Sequence, residues 1–188
     1  MTKTDVKLTF EEYLNYHDGT ERRYEFVEGE LVEMPPATGK HEAIITLLLV
    51  CLFLEIKRKQ YPCHARPNGI EFFTGIRTRR PDVSVISEQQ KIEIEQTSAI
   101  LYTPPLLAIE VISPDYRDID IKDKLAEYQS LGVPEYWTVD WNCSVPNLTV
   151  RVLGEEGFYT EQVFTGLDQI TSPLFPELAL TVQDLLNS

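Results

Sequence analysis

Apolar positions change their spacing several times along this chain, and each change marks an element. Thr9-Phe10-Glu11-Glu12 has the form of a capping box and opens a short helix towards His17. Residues 23–27 and 30–34 alternate around Glu28-Gly29 and predict a β-hairpin. Pro35-Pro36 breaks that run, and a long helix starts at Thr38 or Gly39 and ends near Gln60. Residues 70–73 and 79–86 predict two strands, with a turn at Thr74-Gly75. Residues 87–103 are polar and have no clear period. Residues 106–112 are almost continuously apolar, the pattern of a strand buried on both faces, ended by Ser113-Pro114. Residues 118–131 form an amphipathic helix with Ile121, Leu125 and Tyr128 on one face, stopped by Gly132 and Pro134. Strands follow at 135–140, 148–153 and 158–164, and a short helix capped by Thr181 closes the chain. That order predicts a single α/β domain over residues 1–188, with a mixed sheet and a C-terminal β extension.

Composition narrows the class. Of the 188 residues, 43% are hydrophobic and 10% aromatic, which excludes a disordered chain. Residues 43–56 form the most apolar stretch, yet their 14 positions fall short of the roughly 17–25 that a membrane span needs. A core helix is therefore expected, and no membrane association. Residues 1–10 lack the apolar run of a secretory leader, and the three cysteines, Cys51, Cys63 and Cys143, form no paired pattern. Cys63-His64 is half a zinc motif without its other half. Reduced thiols and a cytoplasmic location are the expectation.

Two carboxylates stand out. Glu110 is the one charged residue in Leu-Leu-Ala-Ile-Glu-Val-Ile, where burial is costly unless the charge is paired or on a metal. Asp82 follows Pro81 and precedes the apolar Val83-Ser84-Val85-Ile86. Two such oxygens facing one another suit a hard divalent cation that keeps several waters and accepts phosphate oxygens. Each has a plainer alternative: Asp82 as a turn cap, Glu110 as a paired or exposed strand-end residue. Lys122 and Lys124 follow on the next helix, where a lysine can orient water or simply face solvent.

Several segments together resemble the Uma-type restriction endonuclease family, long catalogued as a domain of unknown function, within the PD-(D/E)xK nuclease superfamily. They are Arg80-Pro81-Asp82-Val83-Ser84-Val85, residues 105–114 around Glu110, Asp123-Lys124-Leu125 with Tyr128, and Gly132-Val133-Pro134-Glu135-Tyr136-Trp137. Tyr24-Glu25-Phe26-Val27-Glu28-Gly29-Glu30 and His41 upstream are also similar, so that residues 9–186 are covered. The resemblance implies a restriction-endonuclease-like αβββαβ core. Its first helix would lie near 40–60, its strands at 70–73, 79–86 and 106–111, its second helix at 118–131 and its last strand at 135–140. It also implies a metal site for Mg²⁺ or Mn²⁺ built from Asp82 and Glu110, with the Val111 carbonyl as third ligand. The superfamily's lysine belongs two residues after the glutamate, where this chain has Ile112. The resemblance points instead to Lys124 on the next helix, with Lys122 as fallback. Glu25 would approach from the hairpin and His41 would sit at the mouth, each with a structural role as the alternative.

Charge bears on the substrate. The chain carries a net −13, which opposes binding to a phosphate backbone. Yet residues 57–80 hold seven cations and one acid. Arg77, Arg79 and Arg80 lie just before Asp82 and are candidates for holding phosphate. The expected function is a metal-dependent endonuclease that hydrolyses DNA phosphodiester bonds, for which a symmetric homodimer would suit double-strand cutting. The rival is a nuclease fold without catalysis that binds nucleic acid or a protein partner. A carboxylate-pair sugar hydrolase is a weaker third, because stacking aromatics and a set carboxylate separation are not evident.

Overall fold

A computed structural model describes residues 7–20, 22–34, 36–113 and 119–188. The predicted break at Pro35, the strand stop at Pro114 and the helix start at Asp118 fall outside those residues. Thr9 caps helix α1 (Phe10–Leu14) through the predicted capping box. Strands β1 (Arg23–Val27) and β2 (Glu30–Met34) form the predicted hairpin. Its two-residue turn needs positive φ at both positions, 53° at Glu28 and 88° at Gly29. Helix α2 (Gly39–Lys59) is capped by Thr38, whose side chain accepts from the His41 amide, and ends at Gln60 in the left-handed region.

The next segments depart from the predicted pattern. Strand β3 (Cys63–Pro67) follows α2 directly, then β4 (Glu71–Phe73), β5 (Thr78–Arg79) and β6 (Val83–Ser87). The expected strand at 79–86 is two strands in two sheets. Pro81 lacks an amide donor and interrupts the ladder between them. β5 pairs with β4 in a three-stranded sheet ordered β5-β4-β7, where β7 is Ile100–Leu101. β6 joins the main six-stranded sheet. The first core strand is therefore β3, not 70–73. Its sequence, Cys-His-Ala-Arg-Pro, carries no apolar run because it is an edge strand, where a terminal proline is tolerated.

Helix α3 (Glu88–Ile94) fills part of the undecided region, capped by Ser87 and Gln90. Strand β8 (Leu107–Val111) is buried at all five positions, as its apolar run predicts. A π-helical turn at Ile119–Asp123 leads into α4 (Lys124–Ser130). Strands β9 (Glu135–Asp140), β10 (Asn147–Leu153) and β11 (Tyr159–Thr165) and helix α5 (Val182–Leu186) complete the chain. The main sheet runs β11-β10-β9-β8-β6-β3, with β8 and β9 parallel and the other pairs antiparallel. This is the expected mixed α/β architecture.

Strand alternation divides the core between the two sheet faces. Val83, Val85, Leu107, Ile109, Val111 and Trp137 pack with Ile44, Leu48 and Leu52 of α2 on one side. Ile86, Ala108 and Tyr136 pack with Tyr128 of α4 on the other. No helix among the described residues is long and apolar enough to cross a membrane; the stretch at 43–56 is the α2 core stripe.

Glu135 fastens the C-terminal segment to this frame. One carboxylate oxygen accepts from Trp137 Nε1 at 2.7 Å and Ser172 Oγ at 2.6 Å, the other from the Leu174 amide at 3.2 Å. Burial pushes the carboxyl above its ordinary value of 4.5, against hydrogen bonds that favour the anion. The folded chain thus keeps this proton to higher pH than the unfolded chain. The stability it contributes is present below pH 4.5 and is lost as pH rises through the folded value. In urea melts, the stability of the native protein relative to Glu135→Gln should fall as pH rises from 4.5 towards neutrality. A pH-independent difference would show that Glu135 does not titrate differently on folding.

Candidate active site

The antiparallel register of β6 and β8 pairs Val83 with Ile109 and Ser84 with Ala108. One step further along, Asp82 stands across from Glu110 at the end of the ladder. Past that end the Val111 amide is capped by a side chain: Asp82 Oδ2 accepts from it at 2.7 Å. His41, in the first turn of α2, closes the same group. Its Nε2 lies 2.9 Å from the Val111 carbonyl and 3.3 Å from Asp82 Oδ2. Both partners accept, so Nε2 carries the hydrogen; Nδ1 is buried without a partner. Burial opposes the imidazolium, but the Asp82 hydrogen bond and charge, with the Val111 carbonyl, outweigh it and raise the His41 pKa.

Glu110 carries its side chain to α4 and is 2% exposed. Tyr128 Oη donates to its Oε1 at 2.5 Å, and Lys124 Nζ donates to its Oε2 at 2.8 Å. Lys124 and Tyr128 are four residues apart on α4 and so share one helical face. The π turn ahead of α4 sets the phase of that face, a device common at functional sites. Burial first, then the Glu110 charge, raises the Tyr128 hydroxyl well above its ordinary value, so it stays a donor. Lys122 occupies an exposed position within the π turn.

A third group lies between the hairpin and α4. Arg79 is buried and donates to Glu127 Oε2 from Nε at 2.7 Å and from Nη2 at 2.5 Å, while its Nη1 reaches Glu25 at 3.4 Å. Burial disfavours the guanidinium, yet the Glu25 and Glu127 charges raise its pKa further, so it stays charged. Arg77 reaches Glu28 at 3.4 Å and Glu127 at 3.6 Å with its side chain 25% exposed. Arg80 points the opposite way and pairs with Glu71, which also accepts from Tyr13 Oη at 2.7 Å.

The structure thus gathers Asp82, Val111 and His41 in one set and Glu110 and Lys124 in another, with their carboxylates opposite in register. Glu25 is held by Arg79. Of the three arginines read together from sequence, Arg77 and Arg79 meet at Glu127 and Arg80 goes to Glu71. The basic segment 57–80 is not a bare positive face, since Arg58 and Lys59 also pair with Glu55 and Glu177. Tyr128 and Glu127 were missed as polar partners. The signal for Tyr128 was its spacing from Lys124; Glu127 has no sequence signal beyond its helix position.

Among the described residues no group of three or more His, Cys, Asp or Glu side chains is arranged to hold a metal ion. Two carboxylates and a main-chain carbonyl nonetheless match a hard cation that keeps much of its water, as Mg²⁺ does.

The model of the Uma2 family, described as "Putative restriction endonuclease", matches residues 10–183. An uncharacterized protein of Synechocystis is 28% identical over 137 residues, 72% of this chain and 76% of that protein. The crystal structure of a "putative nuclease belonging to DUF820" from Anabaena variabilis superposes with a TM-score of 0.76 at 24% identity. That match covers 96% of this chain and 98% of the other, so the two share a fold.

Tyr128→Phe removes one donor from a buried carboxylate and leaves the ring's packing in place. A loss of about 1–3 kcal/mol is expected at neutral pH, the cost of an unsatisfied buried acceptor, read from urea denaturation. An unchanged midpoint would show that the hydroxyl does not hold Glu110.

Proposed function

This chain belongs to the Uma2 restriction endonuclease family, and from that premise we propose that it is a metal-dependent endonuclease hydrolysing DNA phosphodiester bonds. The observation that carries the proposal is Asp82 opposite Glu110 at the end of the β6–β8 register, with Lys124 on a Glu110 oxygen. Asp82 and Glu110, with the Val111 carbonyl, would hold Mg²⁺ or Mn²⁺, which when bound supplies charge that polarises the phosphoryl group and acidifies water.

The protein's own residues account for the rest. Tyr128 fixes one oxygen of Glu110 and so fixes the rotamer of the carboxylate. Lys124 is tethered to the other oxygen, where its ammonium can orient a water oxygen for in-line attack on phosphorus. The P–O bond opposite the attacking water then breaks. The Val111 amide fixes Asp82 in the same way, so both carboxylates are oriented before substrate arrives. Arg77, the most exposed of the three arginines on its side-chain value, is best placed to meet a phosphate; Arg79 would first have to leave two carboxylates. His41 braces the Val111 carbonyl and Asp82 from α2.

A second reading has its own support. Lys124 and Tyr128 already satisfy Glu110 without a cation, as expected of a nuclease fold that binds nucleic acid or a protein partner without cutting.

Incubation with plasmid and single-stranded DNA separates the two. With Mg²⁺ or Mn²⁺ the native protein should cut and EDTA should stop it. Asp82→Ala and Glu110→Gln should be inactive, and Lys124→Met should be slower by about 10²-fold, the cost of a misplaced reacting group. Undiminished cutting by Asp82→Ala would overturn the proposal. DNA affinity with no cleavage and no calorimetric metal binding would establish the second reading.

A further inference from the structure

A cavity of about 290 Å³ opens between α1, β1 and the turn that precedes β4, on the side to which Arg80 points. Three tyrosines line it, Tyr13 and Tyr16 from α1 and the turn after it, and Tyr24 from β1; Arg22 and Arg80 supply cations. The Tyr16 and Tyr24 rings meet edge to face at 6.0 Å, and Tyr24 Oη is anchored on Asp18 at 2.7 Å. The deep wall is preset, because Glu71 holds both Tyr13 Oη and the Arg80 guanidinium. Arg80 Nε is buried there and has no hydrogen-bond partner. Arg22 is at the rim, on Glu33 at 3.3 Å with its side chain 60% exposed, so it can swing to a ligand at little cost.

The volume is just under the roughly 300–1,000 Å³ range of small-molecule sites. It admits one nucleotide residue and no duplex. Aromatic rings with arginine are the combination by which proteins stack unpaired bases and hold the adjoining phosphate. Arg80, which lines the cavity, is two residues from Asp82, so the two Cα atoms are at most about 7 Å apart.

We infer that this cavity receives one unpaired base of the strand held at Asp82 and Glu110, stacked on tyrosine with Arg22 against its phosphate. The inference rests on the nuclease reading and narrows its substrate to nucleic acid that is single-stranded or has a base out of the helix.

Calorimetric titration of the full chain with each 5′-deoxynucleoside monophosphate, in EDTA, tests the cavity apart from the metal site. Binding is expected, and Tyr16→Ala should weaken it by about fivefold or more, the lower end of what one base–aromatic stack is worth. Arg22→Ala should weaken it a few-fold, and inorganic phosphate alone should compete poorly. Both positions are partly or fully exposed, so circular dichroism and melting should be unchanged. In the Asp82→Ala background, a single-stranded oligonucleotide should bind more tightly than its duplex, and Tyr16→Ala should reduce that preference. No mononucleotide binding by folded protein, or binding that Tyr16→Ala leaves intact, overturns the inference even if the native enzyme cuts DNA. Mononucleotide binding without cleavage keeps the cavity and refutes hydrolysis alone.

Discussion

Glu110 carries a carboxyl group inside a strand buried at every position. An unpaired carboxylate there would cost several kcal/mol, so the surrounding architecture has to bring it partners. In the sheet its neighbour on β9 is Thr138. The partners come from α4, which presents Lys124 and Tyr128 on one face. The π turn before α4, the packing of Tyr128 against Phe72 and Tyr136, and the tight turn at Gly132 before β9 all serve to hold that face over one carboxylate.

Arg79 extends the arrangement to the hairpin. It bridges Glu127 on α4 and Glu25 on β1, while Val27 and Arg77 form a backbone bridge beside it. Hairpin and helix are thereby tied on either side of the candidate site by a cation shielded from salt. The same pairing reshapes the charge argument. The acid surplus of the chain is not offset by a separate basic surface, because the cations of residues 57–80 are largely spent on internal carboxylates. On the proposed reading only a few cations at the candidate site would meet a phosphate backbone, so few counterions would be released and affinity for it would be weak.

Much of this was legible in the sequence where periodicity was strong. The hairpin, α2, β8 and β9 follow directly from alternation or from apolar runs, and the carboxylate within residues 106–112 stood out as the anomaly around which the candidate site is drawn. β3 was invisible because an edge strand needs no apolar run. The split at Pro81 was visible as a residue but not as a change of sheet, since pairing partners are set by tertiary contacts that no local pattern encodes. For the same reason Arg77, Arg79 and Arg80 read as one cluster, although alternation about a broken strand sends Arg79 and Arg80 to opposite sides. Tyr128 carried a hydrophobic signature, and its hydroxyl acquired a role only when α4 met β8.

Lys124, a cation on Glu110, comes from a helix, and the position two residues after the glutamate, just past β8, is Ile112, which is 2% exposed. β8 can therefore continue as unbroken core up to its end. Lys124 and Tyr128 lie 14 and 18 residues along the chain from Glu110, with a π turn of five residues in between. A text search for the short acidic-and-lysine tripeptide would pass over this strand as ordinary β-structure. Homologues in which the loop before α4 grows or shrinks would keep the same charges in space while losing any fixed spacing between them, so kinship among such chains is better traced through superposed helices and strands than through aligned letters.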